Sequence, residues 1–424
     1  MSIHQTLRLT CGLLSAGMLL LPMGLIPLSI GMQPAYFERV EKRAPTAFPT
    51  LSPSTARDRQ AVRAAYYAVR DRFPYKGSLV EAVRILDIYA FGKRRFNTAD
   101  LGEENWTYYR ESYWSPEVSH ADIQSTLATL EQFLGRLQAR PQTDTAQVRL
   151  VIAPDKHTIY PEYLSEQGQI DRARTAEARQ AVHDWFKANS DDPRIIDMWS
   201  MIHRSKGQSE YLYVPNDTHH SPMGAAVMAQ AIVDSIDSKA WYRESIAAGA
   251  VTPYTDVAFN MGLFQHQLHV QESFTLYSGV AVRSPQTTVH SAGKTFDSEA
   301  TAIQQLCADQ GLPESCLQNN LTQYHQPASR HPLIAAKTLI VHDSFMNVFT
   351  KDILRPLFND VSFIHHNVFT AEDLEASLSQ YDYIVVQSSE RLAFGTPKSS
   401  DNTINRLFRP LETQTEASNA RKVH

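Results

Sequence analysis

The stretch YLYVPNDTHHSPMGAA (residues 211–226) joins three patterns that together decide the fold class. Its first four residues are typical of a short β-strand, so a strand is predicted over 211–214. A serine and a proline then supply the N-cap and the first position of a helix, which is predicted over Pro222–Ile236. Asp217 and His219 fall on the loop between these two elements. Loops at this position bind ligands in open α/β sheets.

Alternating strand and helix patterns extend this interpretation to most of the chain. Strands are predicted over 148–154, 195–198, 338–341, 361–366 and 383–387. Helices are predicted over 123–140 and 175–189, after the strand 338–341 to about Phe358, and from Thr370 onward. Strands that alternate with helices of this length predict an α/β fold with a central parallel sheet and crossover helices.

The N-terminal part of the sequence has a different character. Residues 10–32 form an uncharged run of 23 residues, which is long enough to span a bilayer and longer than the usual signal-peptide hydrophobic region. We therefore predict an uncleaved signal anchor over 1–33, with the body of the protein exported; cleavage after about Gly31 is the alternative. A linker is predicted over 34–54, one catalytic domain over 55–395 and a polar tail over 396–424.

Charge and cysteine content narrow the class of protein. The formal net charge of -5 and the isoelectric point near 6.3 give no basic footprint for nucleic acid, and no nucleic-acid partner is expected. Cys307 and Cys316 are close in sequence within a polar stretch. In an oxidising compartment they are predicted to close a small disulfide loop, with two free thiols as the alternative.

A second loop with reactive side chains is VHDSFMN (341–347), in which Ser344 follows an apolar strand and precedes a helix. A serine hydroxyl needs an adjacent base, and the base needs a partner that fixes its tautomer. His219 can act as that base and Asp217 as its partner, with N–H groups of the helix stabilising an oxyanion. Each signal has a structural alternative, because Asp343 or Ser344 can cap the helix and an Asp-x-His pair can be a hydrogen-bonded loop.

Seven motifs occur in the order in which one known family has them. They are RDRFPYKGSLVE, EENWTYYRESY, VIAPDKHTIYPEYL, NDTHHSPMGA, TDVAFNMGL, VHDSF and YDYIVVQSSERL. With them the sequence resembles the bacterial polysaccharide O-acetyltransferases of the AlgJ and AlgX type. The resemblance implies an SGNH hydrolase-like three-layer sandwich with a permuted motif order, in which the Asp-x-His element precedes the serine. The sequence departs from the family at His220, His342 and Gln387, which replace a tryptophan, a glycine and a glutamate.

The same resemblance implies roles and partners. Ser344 is expected to be the nucleophile, His219 the base and Asp217 its orienting acid. A multi-pass membrane-bound O-acyltransferase would deliver the acetyl groups. They would then pass through an acetyl-serine to hydroxyls of an exported polysaccharide. The protein would act in the periplasm, attached to the inner membrane by its anchor. An acetyl esterase with the same triad and a non-catalytic polysaccharide-binding scaffold of an export complex are the alternatives.

Histidine pairs are the remaining pattern with a chemical interpretation. They occur at 219–220 and 365–366, and His266 and His269 form a third pair. Zinc sites need three or four ligands with clustered spacing, so these histidines are expected to serve separate loops and strand ends. Neither a phosphate-binding loop nor a G-x-S-x-G elbow occurs in the sequence. No metal and no cofactor are therefore expected.

Overall fold

The computed structural model describes residues 45–50, 58–71, 76–104, 106–141, 145–207, 211–238, 252–254, 276–278, 288–307, 317, 319–326, 333–396 and 402–409. The predicted anchor, most of the predicted linker and Cys316 lie outside these ranges. Within them, no helix has both the length and the apolar character needed to cross a bilayer. The chain divides into two compact units, one of residues 1–93 with 265–271 and one of residues 94–264 with 272–424. The domain limits predicted from the sequence stay a prediction.

The described residues of the first unit contain two helices, α1 (Arg59–Asp71) and α2 (Lys76–Ile85), and α2 continues as a π-helical turn over Leu86–Ala90. The last residue of α1 is buried, and its carboxylate accepts hydrogen bonds from the N–H and the hydroxyl of Thr46 at 2.9 and 2.8 Å. These bonds attach the preceding chain to the end of α1.

The second unit is built on an eight-stranded sheet. Two short antiparallel pairs lie outside it, β1 (Ala99–Leu101) with β2 (Thr107–Tyr109) and β5 (Thr252–Tyr254) with β6 (Leu276–Ser278). The sheet contains β3 (Gln147–Ala153), β4 (Ile195–Ile196), β7 (Thr288–Ser291), β8 (Lys294–Phe296), β9 (Thr322–His325), β10 (Thr338–His342), β11 (Asp360–His365) and β12 (Tyr383–Ser389). Their spatial order is β4-β3-β12-β10-β11-β9-β7-β8.

The direction of the strands changes along the sheet. From β4 to β11 all neighbours are parallel, whereas β11, β9, β7 and β8 pair antiparallel. The predicted central parallel sheet is therefore confirmed for β4 to β11 only, and the fold is α/β with a mixed sheet. The antiparallel strands come from a part of the sequence between residues 245 and 332 that has no regular hydrophobic period, so they could not be recognised from pattern alone.

Helices cover both faces of the sheet. In chain order they are α3 (His120–Gln138), α4 (Lys156–Ile159), α5 (Glu166–Arg174), α6 (Ala176–Ala188), α7 (Met198–Ser205), α8 (Pro222–Ile236), α9 (Glu299–Cys307), α10 (Lys351–Leu354), α11 (Ala371–Ser377), α12 (Glu390–Phe394) and α13 (Thr403–Phe408). Alternate residues of β10 enter two different cores, because Ile340 packs with α8 and its neighbour Val341 packs with α3 and α6. A layer of helices thus lies on each side of the central strands.

Local sequence signals placed several elements correctly. The helix Pro222–Ile236 has the predicted bounds, and its N-cap Ser221 accepts from the Gly224 N–H. Thr370 caps α11 in a capping box, as expected for a helix that opens there. The predicted strand 211–214 is wrong, because only an isolated bridge between Tyr213 and His220 forms.

The end of the chain contains one more helix. Within the predicted polar tail over 396–424, residues 402–409 include helix α13. Ile404, Leu407 and Phe408 of this helix are buried, and the Phe408 ring stacks on Phe133 at 4.3 Å. Three apolar residues spaced along two turns were enough to bury this short helix against α3.

Candidate active site

Ser344 lies at the carboxyl end of the central strand β10, where the chain turns into a helical segment. The preceding Asp343 is buried and caps this segment, since its carboxylate accepts from the Phe345 N–H at 2.9 Å and from the Ser389 N–H at 2.7 Å. Burial acts to raise the pKa of Asp343, but nearby His366 and Arg391 and the two N–H donors hold it below its usual range. Asp343 therefore does the capping, and the Ser344 hydroxyl makes a different contact.

That contact is with His219. The Nε2 atom of His219 lies 3.0 Å from the Oγ atom of Ser344, although the two residues are 125 positions apart. On the other side of the ring, Nδ1 lies 2.6 Å from an oxygen of Asp217, which also accepts from the His219 N–H at 2.9 Å. Because a carboxylate can only accept, Nδ1 carries a proton and Nε2 is the acceptor for the serine hydroxyl. The structure thus brings together all three residues that the sequence analysis selected.

The side chains of Ser344 and His219 are partly exposed. The side chain of His219 keeps 15% of its exposure and that of Asp217 keeps 11%, while Ser344 is half-buried. The π-helical turn Met346–Thr350 begins two residues after the serine. Such turns are frequent at functional sites. An arrangement of this kind can activate a hydroxyl for attack on a bound ester, which requires both a low local dielectric and an opening.

The loop with Asp217 and His219 is a tight hairpin rather than the end of a sheet strand. The Val214 N–H donates to the His219 carbonyl at 3.2 Å, and the Ser221 N–H donates to the Leu212 carbonyl at 2.9 Å. Helix α8 packs directly on this hairpin, because a Cβ atom added at Gly224 would lie 2.0 Å from the Leu212 carbonyl oxygen. Only glycine permits this approach of helix to backbone.

Lys156 holds the backbone of the hairpin through hydrogen bonds. Its ammonium is buried and donates to the carbonyl oxygens of Val214 at 3.1 Å, Pro215 at 2.9 Å and Asp217 at 2.7 Å, and also to that of Thr107. Burial lowers the pKa of Lys156 to about 7, and the charge of Asp217 acts in the opposite direction. One side chain thus gathers three carbonyl groups of the loop that carries the Asp-x-His pair.

His220 supplies a second attachment, and its position explains the departure from the family pattern. Its Nε2 lies 2.9 Å from the hydroxyl of Tyr213, which in turn donates to the carbonyl of Pro154 at the end of β3. The ring is fully buried, and burial lowers the pKa of His220 to about 3, so it is neutral. It acts as a structural group that ties the hairpin to the sheet.

A buried ion pair lies next to the loop that carries Asp217 and His219. Arg391 at the start of α12 is paired with Asp155 after β3, and the Arg391 N–H donates to the same carboxylate at 2.9 Å. A guanidinium nitrogen of Arg391 also lies 3.5 Å from the hydroxyl of Thr218, between the acid and the histidine. The carboxyl ends of β3 and β12 thereby hold the middle of the loop.

Lys156, Asp155 and Arg391 were not selected from the sequence. Their only signal was their position, since charged residues that directly follow a buried strand must find partners at the carboxyl edge of the sheet. Lys156 donates to backbone carbonyls, which every residue has, so no residue type in the sequence indicates these partners. Gln387, the third departure from the family pattern, is buried and accepts from the Asp343 N–H at 3.1 Å.

Three described histidines outside the hairpin, His342, His365 and His366, serve local structure. His342 is buried, and its Nδ1 donates to the Asp343 carbonyl at 2.8 Å. His365 and His366 stack at 4.8 Å at the end of β11, and Arg406 donates to the carbonyl of His366 at 2.7 Å. No group of His, Cys, Asp and Glu side chains within the described ranges is arranged to hold a metal ion. His266 and His269 lie outside those ranges.

Part of the chain around this site is similar to known proteins. Residues 100–306 match the family model described as the SGNH hydrolase-like domain of the acetyltransferase AlgX. This part of the chain, somewhat less than half of its length, is similar to that domain. The match includes Asp217 and His219 and ends before Ser344, and it confirms the resemblance on which the sequence interpretation depended. The fold and the family model agree on an α/β architecture.

Individual relatives are more distant. The chain is 24% identical over 244 residues to a Pseudomonas putida protein named probable alginate O-acetylase AlgJ, and the aligned part is 57% of this chain and 59% of the relative. The chain therefore spans less than two thirds of that relative. Among solved structures, Bacillus cereus PatB1 with a sulfonyl adduct is similar at 12% identity and a TM-score of 0.48, over 74% of this chain and 99% of that one. The O-acetyltransferase domain of Pseudomonas putida AlgJ is similar at 14% identity and a TM-score of 0.33, over 76% and 99%.

Proposed function

We propose that this protein is an O-acetyltransferase that uses Ser344 as its nucleophile and transfers acetyl groups to hydroxyls of an exported polysaccharide. The observation that carries the proposal is the hydrogen-bonded series Asp217–His219–Ser344 in a domain of AlgX type. The AlgJ relative is named as a probable alginate O-acetylase, so a polyuronate such as alginate is the first acceptor to test.

Each half-reaction follows from the hydrogen bonds. The Ser344 oxygen attacks the carbonyl carbon of an acetyl ester while His219 Nε2 takes the hydroxyl proton. The intermediate then collapses, the donor alcohol leaves with that proton and acetyl-serine remains. In the second half, a sugar hydroxyl gives its proton to Nε2 and attacks the acetyl carbon. The serine oxygen leaves and recovers the proton, so the site returns to its starting state.

Two features support stabilisation of the charges that arise. The Asp217 carboxylate lies 2.6 Å from Nδ1, where it can stabilise the imidazolium that forms when His219 takes a proton. The Ser344 N–H belongs to the first turn of the helical segment, where amide groups have no intrahelical acceptor and can donate to an oxyanion. We assign it as one oxyanion donor.

The cellular setting is part of the same proposal. We place the catalytic body in the periplasm, held at the inner membrane by residues 1–33 and supplied with acetyl groups by a multi-pass membrane-bound O-acyltransferase. The uncharged run over 10–32 supports the anchor, and the name of the AlgJ relative, a probable alginate O-acetylase, supports a polysaccharide acceptor. A hydrophobic segment of this length is sufficient to hold a protein at a bilayer.

The test begins with the full chain and a small activated ester such as p-nitrophenyl acetate. We expect a mass gain of one acetyl group, located at Ser344 by peptide mass spectrometry, and transfer of that group to alginate oligosaccharides. The Ser344→Ala variant should lose both, whereas Ser205→Ala, which removes another helical serine hydroxyl, should retain both.

The outcomes separate the alternatives. Rapid hydrolysis of the acetyl-serine without transfer to any oligosaccharide would identify an acetyl esterase. The same acetylation in the Ser344→Ala variant, or none in the wild type, would contradict a serine nucleophile at this position. Absence of acetylation in the wild type, together with binding of polysaccharide, would identify a non-catalytic scaffold.

A further inference from the structure

The first unit has an unusually apolar surface. Twelve large apolar side chains are exposed among the described residues, and eight of them lie between residues 48 and 91. The other four are scattered singly over the second unit. Single exposed apolar side chains are normal on a soluble protein, whereas a concentrated group marks a surface that binds a partner or a membrane.

The densest group lies on α2 and its π-helical extension. It consists of Val83, Ile85, Leu86, Tyr89 and Phe91, which are exposed by 54, 43, 54, 69 and 78% and are called the α2 patch below. Residues 83, 86 and 89 follow one another at a spacing of three, and 85 and 89 at a spacing of four, so most of the patch lies on one side of the helix. Helix α1 repeats the pattern, since Val62 and Tyr66 are exposed one turn apart.

The net charge of this part of the chain indicates which kind of partner binds the α2 patch. Residues 1–95 contain 14 Lys and Arg residues against six Asp and Glu, whereas residues 96–424 contain 26 against 39. A basic helical segment with apolar and aromatic residues on one side is the composition of helices that lie in the headgroup region of anionic membranes. An acidic protein partner would also attract the charge, but it would not need an apolar face of this length.

The position of the segment in the chain gives a second argument. Only 26 residues separate the uncharged run over 10–32 from the first residue of α1. Even fully extended, they reach about 90 Å, so a bilayer that holds the run keeps α1 and α2 at high effective concentration near its surface. A weak interfacial contact is then sufficient to occupy the patch.

We propose that the α2 patch binds the surface of a bilayer of anionic phospholipids, with its apolar and aromatic side chains between the headgroups. Tyr89 and Phe91 are suited to this depth, because aromatic rings concentrate at membrane interfaces. Arg84 and Lys93 both pair with Asp87, and the positive charge in excess over residues 1–95 attracts lipid phosphates. This contact is separate from the predicted anchor and does not depend on acetyl transfer.

The test uses the full chain reconstituted into nanodiscs, one set with phosphatidylglycerol mixed into phosphatidylcholine and one with phosphatidylcholine alone. Hydrogen exchange is followed by mass spectrometry for peptides that cover α2, with β10 peptides as the internal measure of folding. We expect α2 to exchange several-fold more slowly in the anionic discs, and high salt to bring the ratio back toward one. The β10 peptides should exchange equally in both.

Two variants make the result specific. Leu86→Glu combined with Tyr89→Glu should abolish the difference between the lipids while β10 stays protected. Ile170→Glu changes a similarly exposed apolar residue on α5 and should leave the difference intact. Equal α2 exchange in both lipids for the wild type, or an unchanged difference in the double Glu variant, would overturn the proposal.

Discussion

The ammonium nitrogen of Lys156 lies 2.7 Å from the carbonyl oxygen of Asp217, so a buried cation holds the residue that orients the proposed catalytic base. The same nitrogen holds the carbonyls of Val214 and Pro215, and no other described side chain donates to all three. The hairpin is therefore positioned by its backbone, which leaves the side chains of Asp217 and His219 directed toward Ser344.

Replacing this cation is expected to loosen the hairpin. Lys156→Met keeps the length of the side chain but removes the Nζ donor from four carbonyl oxygens, at a cost of about 0.5–1.5 kcal/mol for each lost hydrogen bond. A displacement of the base by about 1 Å is enough to lower the rate of serine acetylation by about 10²-fold. Both effects are measured by acetylation kinetics and by urea unfolding, with the exposed Lys187→Met as the control. Wild-type kinetics in Lys156→Met would show that the hairpin holds its shape without this residue.

Asp217→Asn tests the orienting carboxylate alone. The amide has nearly the same shape, but it can donate to Nδ1 and so favours the tautomer in which Nε2 carries the proton and cannot accept from Ser344. In serine triads this change lowers the rate by about 10⁴-fold, and we expect a loss of that order in acetyl-serine formation. Asp184→Asn on the exposed side of α6 is the control. A loss of only a few-fold would mean that Asp217 has a structural role.

The sequence predicted the parts of this site that depend on local patterns. A Ser-Pro pair is sufficient to start α8, and an apolar run followed by a serine is sufficient to place Ser344 at the end of a buried strand. The pairing of His219 with Ser344 was inferred from chemistry and family resemblance, because nothing local links residues 125 positions apart. The structure then placed the two atoms within hydrogen-bonding distance.

Other features could not be predicted because their causes are not local. The strand expected over 211–214 has the right residues, but a hairpin and a helix compete for its backbone groups, and only one bridge forms. The antiparallel strands β7 to β9 are short, with four, three and four residues, which is too few to show a period of two. The role of Lys156 depends on where four carbonyl oxygens meet, which is decided by the tertiary fold.

The buried His342 predicts how stability depends on acid. Burial lowers the pKa of His342 to about 3 from 6.5, so between these values the unfolded chain binds a proton that the folded chain does not. The free energy of unfolding must therefore fall as the pH falls from 6.5 toward 3, with a slope of up to about 1.4 kcal/mol per pH unit from this residue. His342→Asn, which keeps an N–H donor near the Asp343 carbonyl, should show a smaller slope in urea unfolding measured across that range. The exposed His120→Gln should keep the wild-type slope, and an equal slope in all three proteins would contradict the assignment.

Two helical glycines give a matched pair of predictions with opposite signs. At Gly224 an added Cβ would lie 2.0 Å from the Leu212 carbonyl oxygen, so Gly224→Ala must push α8 away from the hairpin that carries His219. We expect a loss of about 1–3 kcal/mol in the free energy of unfolding and slower acetylation of Ser344. At Gly135 of α3 no atom lies within 4 Å of the added Cβ, so Gly135→Ala should stabilise the protein by about 0.5–1 kcal/mol and leave acetylation unchanged. Thermal unfolding and acetylation kinetics of the two variants measure both effects. If Gly224→Ala proved as stable and as active as the wild type, close packing of α8 on the hairpin would not be what positions His219.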